Sequence, residues 1–299
     1  MQCIWCSKKT ADRDLEHIFP AALGCPDHMT LSGNVVCKRC NNKLSKLDLA
    51  ICDEFDLYAF FSGVPRRGGK TPQVLNRGNL IATIEPSGPK VSINMDPDPS
   101  PSHMKLQLGP YGGSQRNVKA NIAISGGLAS ISAQVPFGQG KNFVRGLLKM
   151  AFSCFTYHLG PEVASSNRFD PVREFVMHGI GTRRVLVAKG DDGQFLLASY
   201  PPWIGRDGNY CVDFRIATLH FLVDLSPDET HFLELRQKAD HFFDRMAFLC
   251  CQPPLCSCRQ LPNQPLEWTG HQEFTSGTRY SLPATQGQRL GRPSGGAWC

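Results

Sequence analysis

The pattern of hydrophobic and polar positions predicts several helices. From Cys37 to Phe61 apolar residues recur three or four positions apart, as a helix with one buried face requires, and Ser62-Gly63-Val64-Pro65 ends it. Its apolar positions are Leu44, Leu47, Leu49, Ile51, Phe55, Leu57, Tyr58 and Phe61. Two further helices are predicted at 142–159 and 169–178, because each is rich in apolar residues and each is followed by a glycine.

Short β-branched and aromatic runs predict strands around these helices. The runs cover 79–85, 91–95, 120–124, 184–189, 195–200 and 210–225. A sequence typical of a helix N-cap begins at Ser226, and the helix after it is predicted to end near Leu249. Helices and strands follow one another in blocks, so the predicted fold class is α+β.

Changes in composition divide the chain into four parts. Residues 1–62 form a compact unit, 63–71 a basic linker, and 72–250 an α+β domain without a motif that we interpret as catalytic. Residues 251–299 are rich in Pro, Gly, Ser, Thr and Gln and poor in aliphatic side chains, which predicts a disordered tail.

Composition narrows the class of protein. A hydrophobic fraction of 41% suits a globular chain, and no apolar run reaches the roughly 18 residues of a membrane span. We expect no secretory signal and a cytoplasmic location. The net charge of +6 permits nucleic-acid binding without arguing strongly for it. An odd total of 13 cysteines argues against a disulfide framework. Cysteines that occur in closely spaced pairs in a reducing compartment indicate a metal-binding site.

Four cysteines have the spacing of a zinc site. Cys3 and Cys6 form one CxxC pair and Cys37 and Cys40 a second. Two such pairs can enclose a tetrahedral ion, although the segment between them is longer than in a minimal zinc ribbon and must hold a further hairpin. The alternative is two unmetallated, reduced dithiols. A second, weaker candidate cluster is Cys250, Cys251, Cys256 and Cys258, and ordinary buried thiols are expected at Cys25, Cys52, Cys154 and Cys211.

An adjacent acid and base lie between the two CxxC pairs. Glu16 and His17 follow each other in an apolar run, and neighbours on a strand point to opposite faces, so one of them should be buried and need a partner. Asn41 directly follows a zinc ligand, with Asn42 as an alternative. A carboxylate and an amide oxygen suit a Mg²⁺-like ion, and an imidazole can take a proton from an attacking water. A metal ion that binds the phosphate and a base that activates water together indicate phosphodiester hydrolysis.

The order Cys-x-x-Cys, Glu-His-Ile-x-Pro, Asn-Val-Val-Cys-x-x-Cys-Asn resembles the zinc-stapled branch of the HNH endonucleases, whose fold is the ββα-metal motif. The resemblance implies that Glu16 and Asn41 bind the catalytic ion, His17 is the general base and Asn34 braces the loop between the strands. Matching positions after the Glu-His pair are Pro20, Leu23 and Gly24. The chain departs from the pattern at Cys25, where many relatives have glycine, and at Asn41, where others have histidine.

Two functions of different classes follow. The first is an HNH endonuclease that nicks or cuts DNA with Mg²⁺ or Mn²⁺ and carries a structural Zn²⁺. The alternative is a zinc-stapled DNA- or RNA-binding protein without catalysis, or an HNH unit used only as a regulatory fold. The full set of Glu16, His17, Asn34 and Asn41 favours the enzyme. Residues 72–250 are candidates for DNA binding, partner binding or homodimerisation, and no membrane partner is expected. Basic side chains that either contact phosphates or form a solvated face are Lys38, Arg39, Lys43 and Lys46.

Overall fold

A computed structural model gives the fold. The structure describes residues 2–8, 15–65, 71, 73–77, 80–85, 88–93, 119–125, 128–134, 141–189, 195–205, 208–229, 232, 246–250 and 274–275. These residues form both helices and sheets, so the predicted α+β class is confirmed.

The N-terminal unit is a strand–strand–helix arrangement. Strands β1 (Glu16–His17) and β2 (Thr30–Leu31) pair antiparallel, and helix α1 (Lys38–Phe61) follows them. A 3₁₀ helix, Ala21–Leu23, lies between the strands. The long segment between the two CxxC pairs therefore holds a hairpin and a loop, as its length predicts.

Helix α1 buries one face, which includes several of the positions that the apolar periodicity predicts. Leu44, Leu47, Ile51 and Phe55 are buried, whereas Leu49 is 42% exposed. The helix ends where the sequence indicates. Gly63 adopts a left-handed φ of 65° and the Val64 N–H donates to the Ala59 carbonyl at 2.9 Å, a glycine-dependent helix end.

Three further helices are described after the N-terminal unit. They are α2 (Lys141–Leu159), the short α3 (Pro161–Ala164) and α4 (Asp170–His178). Helix α2 is buried from Phe143 to Thr156 because it packs against α1 on one side and the main sheet on another. At the crossing with α1, Gly146 approaches so closely that a Cβ there would lie 2.8 Å from Ile51 Cγ1 and 2.9 Å from the Leu47 carbonyl oxygen.

The main sheet is antiparallel, and its three central strands are mostly buried on both faces. Its strands are β8 (Arg184–Lys189), β9 (Leu197–Ser199), β10 (Trp203–Ile204), β11 (Tyr210–Ile216), β12 (Leu219–Asp224) and β13 (Met246–Cys250). The order is β10-β11-β12-β8-β13, and β9 also pairs with β11. Alternate side chains face the large core (Val212, Phe214) or a smaller cluster (Cys211, Leu222), which explains their nearly continuous apolar sequence.

Two smaller sheets are also described. One consists of β3 (Val74–Arg77), β4 (Leu80–Glu85) and β5 (Gly88–Ile93). The other consists of β6 (Lys119–Ser125), β7 (Leu128–Gln134) and β14 (Phe274–Thr275). All of their pairs are antiparallel.

One predicted helix is corrected by the structure. The sequence predicts a helix from Ser226 to near Leu249. In the structure, Met246–Cys250 is strand β13, which pairs with β8. A short apolar run fits either a helix or a buried strand, and here the open edge of β8 provides the pairing partner. Most of 230–245, the remaining cysteines of the second cluster and the predicted tail beyond Cys250, apart from Phe274–Thr275, lie outside the described residues.

The N-terminal unit shares its core with the helices and sheet that follow. Trp5, between the first two cysteines, packs on Phe152 of α2 with ring centroids 5.2 Å apart. Arg173 of α4 donates through Nε to the Ile4 carbonyl at 2.7 Å. In the described part of the chain, no helix is both long and apolar enough to cross a membrane.

Candidate active site and metal centre

The four predicted cysteines meet at one point. Their sulfur atoms all lie within 4.8 Å of one another, with Cys3 and Cys40 buried and Cys6 and Cys37 partly buried. Four sulfurs bound at about 2.3 Å around a tetrahedral zinc would stand about 3.8 Å apart, and Cys6 Sγ lies 3.8 Å from Cys37 Sγ. These four side chains are positioned to bind a metal ion and are compatible with zinc.

The electrostatics of the cluster also favour a cation. A hydrogen bond with Cys40 lowers the pKa of Cys3, and the same interaction raises the pKa of Cys40. Burial raises the pKa of Cys6. Thiolates so close together repel one another. The four cysteines therefore cannot all lose their protons easily without a cation. A bound cation removes this conflict because it stabilises all four thiolates.

The remaining described cysteines lack this environment. Cys25, Cys154 and Cys211 are buried and Cys52 is partly buried. Burial raises the pKa of the Cys154 thiol to about 12 and also raises that of Cys25. Neutral, enclosed thiols of this kind act as small core residues.

The cysteine cluster fixes where α1 begins. Cys37 is the residue that precedes the helix, and its N–H donates to Cys3 Sγ at 3.3 Å. The Ile4 N–H donates to the Val35 carbonyl at 3.0 Å. The first turn of α1, which contains Asn41, is thereby held against the N-terminal segment Cys3–Cys6.

Glu16 and His17 point to opposite faces of the hairpin. Glu16 pairs with Leu31 and His17 with Thr30 in the register of β1 and β2. Glu16 and Leu31 are buried, whereas His17 and Thr30 are partly buried. The expectation that one member of the adjacent pair is buried is confirmed, and the buried member is the acid.

The partner of Glu16 is Lys149 of helix α2. Its Nζ lies 2.7 Å from Glu16 Oε1 and 2.7 Å from Asp48 Oδ1 of α1. Lys149 is only 2% exposed and Glu16 7%. The ammonium therefore joins the hairpin, α1 and α2 at one buried point.

The charges of Glu16, Asp48 and Lys149 do not cancel. Burial alone would lower the pKa of Lys149, but the carboxylates of Asp48 and Glu16 outweigh it and hold the pKa above its usual value. Lys149 therefore stays charged. Two carboxylates and one ammonium leave one excess negative charge, which attracts a further cation.

His17 and Asn34 each hold a buried polar atom without a partner. His17 Nδ1 and Asn34 Oδ1 make no hydrogen bond within the described residues. Asn34 also has a left-handed φ of 72°, a conformation that asparagine tolerates better than most residues. An unpaired buried polar atom costs about 1–3 kcal/mol, so each one calls for an explanation, such as a catalytic role or a bound water or ion.

Asn41 occupies the first turn of α1 and is partly buried, whereas Asn42 is exposed. Asn41 and Asp48 are two helical turns apart and so lie on one face of α1. Among the described residues, Asn41 and Glu16 share no hydrogen bond. Carboxylate and amide oxygens are the donors that a hard divalent ion prefers. A carboxylate has about four lone-pair positions, so the ammonium at Glu16 Oε1 leaves capacity for an ion.

Lys149 and Asp48 were missed by sequence reasoning. Lys149 is one of two cations, with Arg145, in the mostly apolar run Phe143-Val-Arg-Gly-Leu-Leu-Lys149-Met-Ala-Phe152. A lysine is seldom fully buried unless it is paired, so its position was a signal for a buried acid. Asp48 could have been found from its place on the face of Asn41.

Comparison with known proteins agrees with this geometry. No curated protein and no solved structure matches the chain. Residues 3–56 match the family model described as HNH endonuclease. The matched range includes both CxxC pairs, the hairpin and most of α1, and such a domain indicates a nuclease-type function that involves nucleic acid. Residues 3–56 of this chain are therefore similar to the HNH endonucleases.

Proposed function

We propose that the protein is a metal-dependent endonuclease that hydrolyses phosphodiester bonds in DNA, with a structural Zn²⁺ held by Cys3, Cys6, Cys37 and Cys40. Mg²⁺ or Mn²⁺ is the catalytic ion, held by Glu16 and Asn41. When bound, this ion stabilises the charge that develops on the phosphate and the leaving oxygen.

His17 is the general base in this proposal. Its ring accepts a proton from the attacking water, and we assign this step to Nε2 because Nδ1 is buried. Asn34 lies in the turn between β2 and α1. The bracing role is proposed for it on the resemblance alone, since its Oδ1 accepts no hydrogen bond from the described residues. Glu16 faces the opposite side of the strand, so acid and base carry out separate tasks.

The observation that carries the proposal is the buried Nδ1 of His17, which has no hydrogen-bond partner among the described residues, within a segment that matches the HNH endonucleases. A histidine kept only for packing gains stability when both nitrogens are satisfied or solvated. Because Nδ1 is buried, Nε2 is left as the ring nitrogen that takes the proton from water.

DNA contact is proposed for the exposed side of α1. Its exposed basic side chains are Lys38, Arg39, Lys43 and Lys46. Side chains of this kind contact phosphates without reading sequence. The homodimer considered from the sequence gains no support from the residues that the structure describes.

The test is cleavage of supercoiled plasmid by the purified, zinc-loaded full chain with Mg²⁺, Mn²⁺ or a chelator. We expect nicked or linear product with either ion and none with the chelator. A matched RNA substrate run in parallel tests the choice of nucleic acid. Tight DNA binding without cleavage under any of these ions would support the non-catalytic binding protein instead.

A further inference from the structure

Helix α2 inserts a positive charge into the proposed ion site. The Lys149 ammonium lies 2.7 Å from Glu16 Oε1, and the side chain is almost fully buried. Helix α2 begins at Lys141, well beyond the segment that matches the HNH family, which ends at residue 56. This cation therefore comes from outside the catalytic unit.

Packing alone does not require a charge at this position. An apolar side chain of similar length fills such a buried space without desolvating an ammonium, and replacing a whole buried ion pair by apolar residues is often neutral or stabilising. The described neighbours of Lys149 along α2 are core residues, among them Leu148 and Met150, each 0% exposed. The role of Lys149 should therefore involve the carboxylates that it contacts.

We propose that Lys149 weakens the hold of the site on its divalent ion, because its ammonium neutralises part of the charge on Glu16. The inference rests on the proposed function, because it takes Glu16 as an ion ligand. Lys149 acts through Glu16 and touches neither substrate nor the reacting atoms.

Two opposing effects define the expected behaviour. The ammonium neutralises part of the charge on Glu16 and repels a second cation nearby, which weakens ion binding. Asp48 shares the same ammonium, with its Oδ1 and Oδ2 at 2.7 and 2.8 Å from Nζ. Asp48 therefore draws Lys149 away from Glu16 and adds negative charge, which strengthens ion binding.

These effects give opposite signs for two substitutions that break the same contacts. Lys149→Met should raise the affinity for Mn²⁺ by about tenfold or more, because a like charge a few ångströms away is removed. Asp48→Asn should lower it, because Lys149 then interacts with Glu16 alone. General structural damage would move both variants in the same direction.

The experiment measures free Mn²⁺ by electron paramagnetic resonance during titration of zinc-loaded full-length protein. Lys141→Met is the matched control, since it removes the same charge from an exposed position of the same helix, and it should leave Mn²⁺ affinity near wild type. Mn²⁺ should also raise the melting temperature of Lys149→Met more than that of wild type. In that variant the ion replaces the lost ammonium.

The result that overturns the inference is an affinity that is unchanged or lower in Lys149→Met. Should Lys149→Met fail to fold, unchanged or tighter Mn²⁺ binding by Asp48→Asn would overturn it equally. Glu16→Gln separates this failure from failure of the proposed ligand. If Glu16→Gln binds Mn²⁺ like wild type, Glu16 is not the ligand and both ideas fall. If it loses Mn²⁺ while Lys149→Met shows no gain, the inference about Lys149 alone fails.

Discussion

At the residue scale, adjacent positions on one short strand have very different environments. Glu16 is buried against an ammonium from another helix, and His17 is partly exposed with one buried nitrogen unpaired. The alternation of a strand produces this difference directly. The pair can therefore combine a fixed charge with an accessible base, although the two residues are neighbours in sequence.

Asn34 allows a prediction about backbone strain. Its φ of 72° is left-handed, a region that costs an ordinary residue about 1 kcal/mol and glycine almost nothing. Asn34→Ala should therefore be less stable than Asn34→Gly by about 1 kcal/mol, because both remove the same side-chain amide and differ only in backbone preference. Urea unfolding of the zinc-loaded variants measures this difference. Equal free energies of unfolding would show that the turn relaxes out of this conformation.

At the element scale, helix α2 lies at the centre of the packing, since it contacts α1, α4 and the main sheet. Its surface against α1 depends on the absence of a side chain at Gly146. Its sequence also places a hydroxyl, Ser153 Oγ, in the core without a hydrogen-bond partner within the described residues.

Two alanine substitutions in α2 should have opposite effects. Gly146→Ala should destabilise the fold by about 1–3 kcal/mol, because its Cβ would meet the Leu47 carbonyl oxygen and Ile51. This cost exceeds the gain in helix propensity of roughly 1 kcal/mol. Ser153→Ala should be neutral or stabilising by up to about 1 kcal/mol, since it removes an unpaired buried hydroxyl. Free energies of unfolding for both variants check this, and a more stable Gly146→Ala would contradict the helix crossing.

Local patterns predicted the elements better than they predicted the contacts between them. The apolar periodicity and the Ser62-Gly63 stop placed α1 almost at its observed bounds, Lys38–Phe61, because both signals lie within the helix itself. The helix placed through to Leu249 was wrong at its end because β13 is decided by its partner β8. The four-cysteine cluster was predictable from spacing alone. The pairing of Glu16 with Lys149 was not, since the partner lies far along the chain in sequence.

At the scale of the whole molecule, the metal site and the larger core depend on each other. Trp5 lies within the first CxxC pair and packs on Phe152, while Arg173 binds the Ile4 carbonyl. Without a metal ion at the four cysteines, the segment Cys3–Cys6 should loosen. Its packing contacts with α2 and α4 would then be lost.

Zinc removal should therefore destabilise more than the N-terminal unit. The purified protein should contain about one Zn²⁺ per chain, and Cys37→Ser should unfold residues 3–56 and lower the melting temperature of the remaining core. Elemental analysis and near-ultraviolet circular dichroism measure these effects. Folded protein without zinc would contradict the assignment of the cysteine cluster.

The most direct test of the central claim is the cleavage rate of His17→Ala on plasmid DNA with saturating Mg²⁺ or Mn²⁺. Removing the proposed base should slow cleavage by at least about 10²-fold. DNA affinity and zinc content should stay near wild type, because His17 is neither a zinc ligand nor a proposed phosphate contact. Glu16→Gln, measured alongside at an ion concentration that only half-saturates wild type, should lose cleavage through weaker ion binding. If both variants cut DNA as fast as wild type, the hairpin is not the catalytic site and the endonuclease account is wrong.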